Sequence, residues 1–302
     1  MADPHFIAVD WGTSGFRLWV MGKDGIVLAA TSAPLGMSHL KRNDFDRVLE
    51  ESLDTLGVAK DVPTIICGMA GAAQGWCEAP YLCAPTRLNA LGEGAVTVRG
   101  ATRQVNILPG VKQMAPANVM RGEETQIAGL LYAEPSFAGT VCLPGTHTKW
   151  VQVTDGAIQH FETCMTGEQF AFFSQTSVLS HSMMLDGWSE SAFLSAVRLA
   201  TQDPVAVPRR LFAIRANMLV GDQDSAIARS TLSGLLIGQE LMSVSPYWHD
   251  RSVALIGERS LCENYIRALD VLGVRGRSFD VETITLTGLT AAFHFQAGSA
   301  HV

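Results

Sequence analysis

The stretch IAVDWGTSGFRLWV, residues 7–20, contains two apolar runs on either side of a short Gly/Ser turn. It predicts a hairpin of two strands, Phe6–Val9 and Phe16–Val20, because short apolar runs bounded by turn residues are typical of strands. Asp10 stands at the end of the first strand, where a carboxylate can hold a hydrated Mg2+. The turn can present N–H groups and hydroxyls to phosphate oxygens; the alternative is an ordinary turn whose aspartate caps its own backbone. The candidate phosphate-binding residues of this turn are Gly12, Thr13 and Ser14.

A second Gly-Thr turn, PGTHTKW at residues 144–150, lies between two further predicted strands. Its Gly145 and Thr146 can expose N–H groups to a phosphate, and Lys149 adds a positive charge beside them. The turn is not a Walker P-loop, because GxxxxGK[ST] does not occur in the chain. Lys149 and the neighbouring His147 are equally well explained as solvated turn residues.

Strand and helix signals recur in the same order in both halves of the chain. After the hairpin, the first half predicts strand Ile26–Ala30, helix Asp44–Leu56, and strands Thr64–Cys67 and Val105–Leu108. The second half predicts strands Thr140–Leu143, Lys149–Thr154, Ala157–Phe161 and Ser252–Ile256, and helices Ser189–Thr201, Pro208–Asn217, Asp222–Met242 and Leu261–Leu272. Residues 111–120 are rich in turn formers and indicate a domain boundary. We therefore predict two α/β lobes with a cleft between them, residues 1–117 and 118–302.

Two adjacent carboxylates, Glu123 and Glu124, open a predicted helix that continues to about Leu131. Acidic residues in a first turn stabilise a helix through its dipole, which is one explanation for the pair. The functional explanation is that one carboxylate faces the cleft and removes a proton from a hydroxyl. Glu123 follows Gly122 directly and is the preferred candidate for this base.

Three further segments can contribute to a binding site. The Gly/Ala-rich segment at residues 68–76 can let a ligand approach the backbone closely, although a surface loop is the simpler explanation. Met165–Glu168 precedes a phenylalanine-rich run at 170–173, whose aromatic rings are typical of a protein core. A third segment, at residues 257–260, follows a predicted strand.

The composition excludes several classes of function. The 302 residues have a formal net charge of -7, and no run of Lys or Arg is longer than two, so a nucleic-acid surface or polybasic membrane anchor is not expected. The six cysteines include no CxxC pair, which indicates reduced thiols rather than a metal cluster. Residues 1–10 lack the basic start of a signal peptide, and the uncharged stretches 169–185 and 283–302 are too polar to span a membrane. We expect a soluble cytoplasmic protein.

Taken together, the ordered motifs resemble the actin/hexokinase superfamily of ATP-dependent kinases. The strings IAVDWGTSGFRLWV, GMAGAAQGWCEAPYL, NVMRGEETQ, LPGTHTKWV, MTGE and LSGLLIGQE, between residues 7 and 240, are similar to those of the 2-dehydro-3-deoxygalactonokinase family. The resemblance implies two ribonuclease-H-like lobes, the use of ATP and Mg2+, and phosphorylation of the 6-hydroxyl of 2-dehydro-3-deoxy-D-galactonate. The product would enter galactonate breakdown.

The resemblance also implies roles for individual residues. Asp10 would organise the hydrated metal, the two Gly-Thr turns would hold phosphates, and Glu123 would be the base, where related sugar kinases have Asp. Arg17 or Arg121 would bind the carboxylate of the sugar acid, since a buried charge needs a partner. The nucleotide-binding residues that it implies are Gly12, Thr13, Ser14, Gly145, Thr146, Lys149, Gly234, Gly238 and Gly257. The substrate-binding residues that it implies are Arg17, Gly71, Gln74, Trp76, Arg121 and Glu168.

Other functions remain open at this point. The chain could phosphorylate another sugar or sugar acid, or be a non-catalytic nucleotide- or sugar-sensing relative, although no DNA-binding motif is present. An actin-like or chaperone-like ATPase would need an added domain for which 302 residues leave no room. The sequence does not determine the stereochemistry of the substrate. The apolar segment Trp76–Leu82 suggests a surface for a homodimer.

Overall fold

The predicted hairpin is present in the computed structural model, which describes residues 3–89, 91–183, 187–221 and 224–299. The strands β1 (Pro4–Trp11) and β2 (Phe16–Gly22) pair antiparallel, with Asp10 opposite Arg17. Four consecutive residues of β1, Phe6 to Val9, are buried, because a central strand is covered on both faces.

The remaining strands are β3 (Val27–Ala33), β4 (Thr64–Gly68), β5 (Tyr81–Cys83), β6 (Thr86–Arg87), β7 (Val96–Thr97), β8 (Val105–Ile107), β9 (Gly110–Met114), β10 (Ala117–Met120), β11 (Gly139–Leu143), β12 (Thr148–Thr154), β13 (Ala157–Cys164), β14 (Val253–Gly257) and β15 (Gly276–Asp280). The α-helices are α1 (Asp44–Thr55), α2 (Glu123–Ala133), α3 (Thr166–Gln175), α4 (Glu190–Gln202), α5 (Val207–Val220), α6 (Ser225–Ser243), α7 (Ser245–Trp248), α8 (Arg259–Val271) and α9 (Val281–Ser299).

Two six-stranded sheets repeat one topology. Their strand orders are β3-β2-β1-β4-β8-β7 and β15-β14-β11-β12-β13-β6. In each sheet three consecutive strands lie side by side, and two later strands are added in parallel next to the first of the three: β4 and β8 beside β1, and β14 and β15 beside β11. This repeated order confirms the expected α/β fold with two ribonuclease-H-like lobes.

The chain divides into two units. Unit 1 takes the chain up to Ala138, together with Val153–His160 and the segment from Val281 onward. Unit 2 comprises Gly139–Gln152 and Phe161–Asp280. Unit 1 therefore contains α9, which lies more than a hundred residues after the rest of its helices in sequence and packs against α2.

Residues 111–120 are not the irregular boundary that their composition suggested. They form most of the β9–β10 hairpin, in which Met114 pairs with Ala117, and β9 pairs in parallel with β5. The turn at Ala115 and Pro116 is thus the tip of a hairpin inside unit 1. The predicted division into 1–117 and 118–302 differs from the observed one because α2 belongs with α9 rather than with the strands that follow it.

The sequence patterns also missed the helices α3, α7 and α9 and the strands β5, β6, β7 and β15. The predicted helix Asp222–Met242 corresponds to α6, and its first two residues lie outside the described part of the chain. Among the described residues, no helix has the length and apolar character that crossing a membrane requires.

The contact between α2 and α9 depends on small residues. A Cβ atom on Gly129 would overlap the carbonyl oxygen of Ile284, and one on Gly288 would overlap the carbonyl oxygen of Thr125. The two backbones therefore pass at a distance that only glycine allows at these positions. This contact fixes the course of α2, whose first turn carries Glu123 and Glu124.

Candidate functional site

Three neighbouring strands of unit 1 bring Asp10, Arg17 and Cys67 together. Arg17 Nη2 lies 2.6 Å from Asp10 Oδ2, and the Cys67 thiol lies 3.7 Å from Asp10 Oδ1. The Asp10 side chain is 17% exposed and that of Arg17 is 34% exposed. Burial and the negative charge of Asp10 raise the pKa of the Cys67 thiol, which is therefore protonated at neutral pH. The group available for chemistry here is the carboxylate of Asp10, beside a cation.

The turn after β1 connects the two strands of the predicted hairpin. Gly12 N donates to Gly15 O at 2.9 Å, and the Thr13 carbonyl accepts hydrogen bonds from both the backbone and the hydroxyl of Ser38. Thr13 and Ser14 are exposed. The turn borders an open cavity of about 470 Å3, whose lining residues are Asp10, Gly12, Gly15, Phe16, Arg17, Ser32, Ala33 and Pro34.

The start of α2 lies against the end of β4, beside Asp10. Gly68 has a φ of 88° and Gly122 a φ of 105°, backbone conformations that residues other than glycine rarely adopt. A Cβ on Gly122 would lie 3.4 Å from the Cα of Gly68, and a Cβ on Gly68 would lie 3.5 Å from Asp10 Oδ1. The two glycines therefore let the first turn of α2 approach the sheet edge that carries Asp10.

The two carboxylates of this turn have different environments. Glu124 is fully buried, and both its oxygens accept the Gly122 N–H, at 2.9 and 2.8 Å. Burial, and then the charge of Glu123, raise the pKa of Glu124 to about 8. Glu123 is half-buried, and its Oε2 accepts the Arg121 N–H at 3.0 Å. Of the two, Glu123 is the carboxylate that solvent can reach.

The Arg121 guanidinium is buried beside this turn. Its Nη2 donates to the Ala79 carbonyl at 2.8 Å, and its Cζ lies 4.2 Å from the centre of the Tyr81 ring. Its Nη1 is buried and has no hydrogen-bond partner among the described residues. A Cβ on Gly71 would lie 2.8 Å from this Nη1, so Gly71 provides the space that the guanidinium occupies. Two of the predicted substrate-binding residues, Gly71 and Arg121, therefore lie next to each other.

Two other predicted substrate residues lie elsewhere in unit 1. Trp76 is 8% exposed and stacks on Phe45, with ring centroids 6.0 Å apart, so it belongs to the aromatic core. Gln74 is exposed. Ala79 is buried together with Trp76, and the segment that suggested a dimer surface therefore presents less apolar area than its sequence implied.

In unit 2 the second Gly-Thr turn packs against the start of α3. Gly167 touches the backbone of Gly145, and Glu168 N donates to Thr146 O at 3.0 Å. His147 Nε2 lies 2.5 Å from Glu168 Oε2. Glu168, predicted to bind substrate, is thus a neighbour of the second turn.

Lys149 is buried and donates to the Thr163 hydroxyl at 2.9 Å. Its ammonium group thus contacts the strand β13, and Lys149 is not part of the cavity wall described next.

A cavity of about 410 Å3 lies beside this turn, wholly within unit 2. It is bordered by the turn, by the start of α3, and by single faces of α6 and α8. The lining residues are Gly145, Thr146, Thr166, Gly167, Phe170, Trp188, Arg229, Ser233, Leu236, Ile237, Ser260, Leu261, Asn264 and Tyr265. Hydroxyl groups, an amide, one guanidinium and aromatic rings in one cavity suit a nucleotide.

The glycines predicted on α6 do not line this cavity. A Cβ on Gly234 would meet Phe193 and Ala196 of α4, and one on Gly238 would lie 2.7 Å from the Cβ of Ala200. Both glycines therefore serve the close packing of α4 against α6. A Cβ on Gly257 would lie 3.0 Å from the Pro144 carbonyl oxygen, so Gly257 abuts the residue before the second turn.

Sequence reasoning missed the cavity residues of α6. Arg229, Ser233 and Ile237 are spaced four residues apart and share one face of the helix. The sequence does contain a signal for these residues. Ser233 and Ile237 come directly before Gly234 and Gly238, and so repeat with the same four-residue spacing as those glycines.

Asp10 is suited to a hydrated Mg2+. Among the described residues, no group of three or more His, Cys, Asp or Glu side chains is arranged to hold a metal ion by itself. Mg2+ does not need such a group, because in phosphoryl-transfer sites it keeps several waters and is held by one or two carboxylates and the phosphates of its substrate. The single part-exposed carboxylate beside the first turn fits that arrangement.

Comparisons with known proteins agree with each other. A family model described as 2-keto-3-deoxy-galactonokinase matches residues 10–292. A protein of Rhizobium meliloti (strain 1021), named as a probable 2-dehydro-3-deoxygalactonokinase, is 37% identical over 294 residues, which are 95% of this chain and 96% of that protein. The 2-dehydro-3-deoxygalactonokinase of Escherichia coli (strain K12) is 31% identical over 293 residues, 96% of this chain and 98% of that protein. A crystal structure from Sinorhizobium meliloti assigned to the same kinase has a TM-score of 0.90 at 37% identity and covers 95% of this chain and 98% of that one.

Proposed function

The chain belongs to the 2-keto-3-deoxy-galactonokinase family, and from this premise we propose that it transfers the γ-phosphoryl group of ATP to the 6-hydroxyl of 2-dehydro-3-deoxy-D-galactonate. The products are ADP and 2-dehydro-3-deoxy-6-phospho-D-galactonate, an intermediate of D-galactonate breakdown. Since ATP is the donor, the proposal includes a cytoplasmic location. The observation that supports it most directly is the first turn of α2, which lies against the sheet edge that carries Asp10.

ATP binds, in this proposal, at the cavity of unit 2. The turn at Gly145 and Thr146 offers backbone N–H groups to phosphate oxygens, and Arg229 offers a positive charge in the same cavity. The apolar and aromatic lining, such as Trp188 and Ile237, suits a purine base. Gly12, Thr13 and Ser14 of unit 1 form the other phosphate-binding turn.

Asp10 holds the hydrated Mg2+, and the ion supplies charge neutralisation for the triphosphate when it is bound. Phosphoryl transfer requires positioning and charge stabilisation more than covalent chemistry, so one carboxylate and donor-rich turns are sufficient parts. Arg17 contacts Asp10 directly, so its positive charge acts beside the proposed metal and not only on the sugar acid.

Glu123 accepts the proton of the 6-hydroxyl. Its carboxylate is reachable by solvent, whereas Glu124 is fully buried with both oxygens on the Gly122 N–H. Arg121 holds the carboxylate of the sugar acid, because its buried Nη1 has no partner among the described residues and a buried charged donor favours an anion. Gly71 lies against that nitrogen.

A coupled ADP-release assay tests the proposal and its alternatives. Purified protein with ATP and Mg2+ is given 2-dehydro-3-deoxy-D-galactonate, its C4 epimer, related sugar acids, or no sugar. We expect ADP release to require the sugar acid and to be fastest with the galacto epimer. A faster reaction with another sugar acid would change the substrate, sugar-independent release would indicate an ATPase, and absence of release with every compound would favour a sensing relative.

A further inference from the structure

A single buried carboxylate joins the elements that form the wall of the unit 2 cavity. Glu240 on α6 is 4% exposed. Its Oε1 accepts the indole N–H of Trp150 at 2.7 Å, and its Oε2 accepts the hydroxyl of Tyr265 at 2.9 Å. The hydroxyl of Thr166 also donates to this carboxylate. One side chain of α6 is thereby bonded to β12, to α8 and to the first residue of α3.

These bonds reach the cavity and the second turn from two sides. Thr166 and Tyr265 are themselves wall residues. The Tyr265 hydroxyl lies 3.0 Å from the hydroxyl of Thr148, which is the first residue of β12 after the second turn. On the other side, Gly167 follows Thr166 and packs on the backbone of Gly145.

The carboxylate depends on these donors for its charge. No Lys, Arg or His among the described residues forms an ion pair with Glu240, so its charge is stabilised by neutral N–H and O–H groups. Burial raises the pKa of Glu240 to about 7, and the hydrogen bonds from Thr166, Trp150 and Tyr265 oppose that rise. A buried ionised group that loses one donor is costly, which makes the three bonds mutually dependent.

We propose that Glu240 is a positioning residue of the nucleotide site: it holds Thr166 and Tyr265, and through them the turn at Gly145 and Thr146, in the arrangement that binds ATP. The inference rests on the proposed function, in which this cavity takes ATP. Glu240 acts through its hydrogen-bond donors, and the side chains that meet the nucleotide are those of the wall.

The variant Glu240→Gln tests the inference with little change of volume. The amide NH2 group cannot accept a hydrogen bond, so one of the three donors loses its acceptor and the wall must rearrange. We expect KM for ATP to rise by about tenfold or more, and KM for the sugar acid to stay within about twofold. The matched control is Ser243→Ala on the same helix, whose hydroxyl donates to the backbone carbonyl of Glu240 rather than to its carboxylate and whose loss should leave both constants unchanged.

A binding measurement separates this inference from the proposed function. The thermal midpoint of the parent and of Glu240→Gln is recorded with and without a non-hydrolysable ATP analogue and Mg2+. Stabilisation of the parent that is lost in the variant supports the inference. Equal stabilisation of both proteins, or an unchanged KM for ATP in a folded variant, overturns it. A parent that the analogue does not stabilise overturns the proposed nucleotide site as well.

If Glu240→Gln does not fold, Tyr265→Phe decides the question, because it removes one donor and retains the buried ring. We again expect KM for ATP to rise, by less than in Glu240→Gln, and KM for the sugar acid to stay nearly unchanged. Unchanged KM values for both substrates in Tyr265→Phe would overturn the inference.

Discussion

Arg17 Nη2 lies 2.6 Å from Asp10 Oδ2, across the hairpin that begins the chain. The pair is part-exposed, and such pairs typically contribute only about 0–1 kcal/mol to stability. The arrangement therefore serves the site more than the fold: it places a cation beside the carboxylate that is proposed to hold the hydrated metal.

The variant Asp10→Asn keeps the shape of the side chain but removes the charge that holds hydrated Mg2+. We expect kcat to fall by at least about 100-fold, since the metal neutralises charge that develops in the transition state. The thermal midpoint should move by no more than about 3 °C, because the carboxylate is part-exposed. Asp24→Asn, in the exposed turn after β2, is the control. Activity within a few-fold of the parent would remove Asp10 from the mechanism.

The variants Glu123→Gln and Glu124→Gln should differ sharply. A positioned carboxylate that accepts the hydroxyl proton typically contributes about 10^2- to 10^4-fold, so kcat of Glu123→Gln should collapse while the Kd for sugar acid changes less than about tenfold. Glu124→Gln should be milder, since that side chain is bonded to the start of its own helix. Steady-state kinetics and sugar-acid titration measure both. The reverse order would give the role to Glu124, and two active variants would exclude a carboxylate base in this turn.

The free energy of unfolding should fall as the pH rises from about 5 to 8. The folded pKa of Glu124 is raised to about 8 and that of Glu240 to about 7, whereas both groups lose their proton near 4.5 when unfolded. Above 4.5 the unfolded chain therefore holds fewer protons, and stability declines until each folded pKa is passed. Glu124→Gln should remove the part of the decline between pH 7 and 8. Urea unfolding at several pH values measures it, and a parent–variant difference that does not vary with pH contradicts the assignment.

Two glycine substitutions should separate binding from packing. A Cβ on Gly145 would meet no atom within 4 Å, so Gly145→Ala should keep the thermal midpoint while its methyl group crowds the phosphate turn and raises KM for ATP several-fold. Gly234→Ala would force α4 and α6 apart, and overpacking of this kind typically costs about 1–3 kcal/mol. Its thermal midpoint should drop with KM for ATP unchanged. An unaltered KM in Gly145→Ala would argue that the turn does not touch the nucleotide.

The central strands of both sheets could be predicted because they are short apolar runs between turn residues, and the bounds of β1, β4, β11 and β14 lie within one or two residues of expectation. Helix α9 was missed for a physical reason. Its buried positions include Ile284, Thr285, Leu289 and Ala292, which have helical spacing but few large apolar side chains. A helix that packs through small residues leaves a weak signal in the sequence.

Site residues that stand in contiguous sequence motifs could be predicted more easily than site residues whose role depends on which face of a helix lines the cavity. Asp10 and Gly145 stand in contiguous strings, and the structure places each beside a cavity. Arg229 and Ser233 could not be chosen without knowing which face of α6 packs on α4. The unpaired Nη1 of Arg121 is buried beside Gly71, which is distant in sequence, and no local pattern records such a contact.

Because unit 1 includes α9, its core needs residues from both ends of the described chain. During synthesis on the ribosome, β1 and α2 emerge long before Val281, and their surfaces that later meet α9 stay uncovered while unit 2 is being made. The first-made unit is therefore the last to be completed. A chain terminated near Asp280 would have a second unit with all its strands, but its first unit, with Asp10 and Glu123, would lack the helix that covers α2.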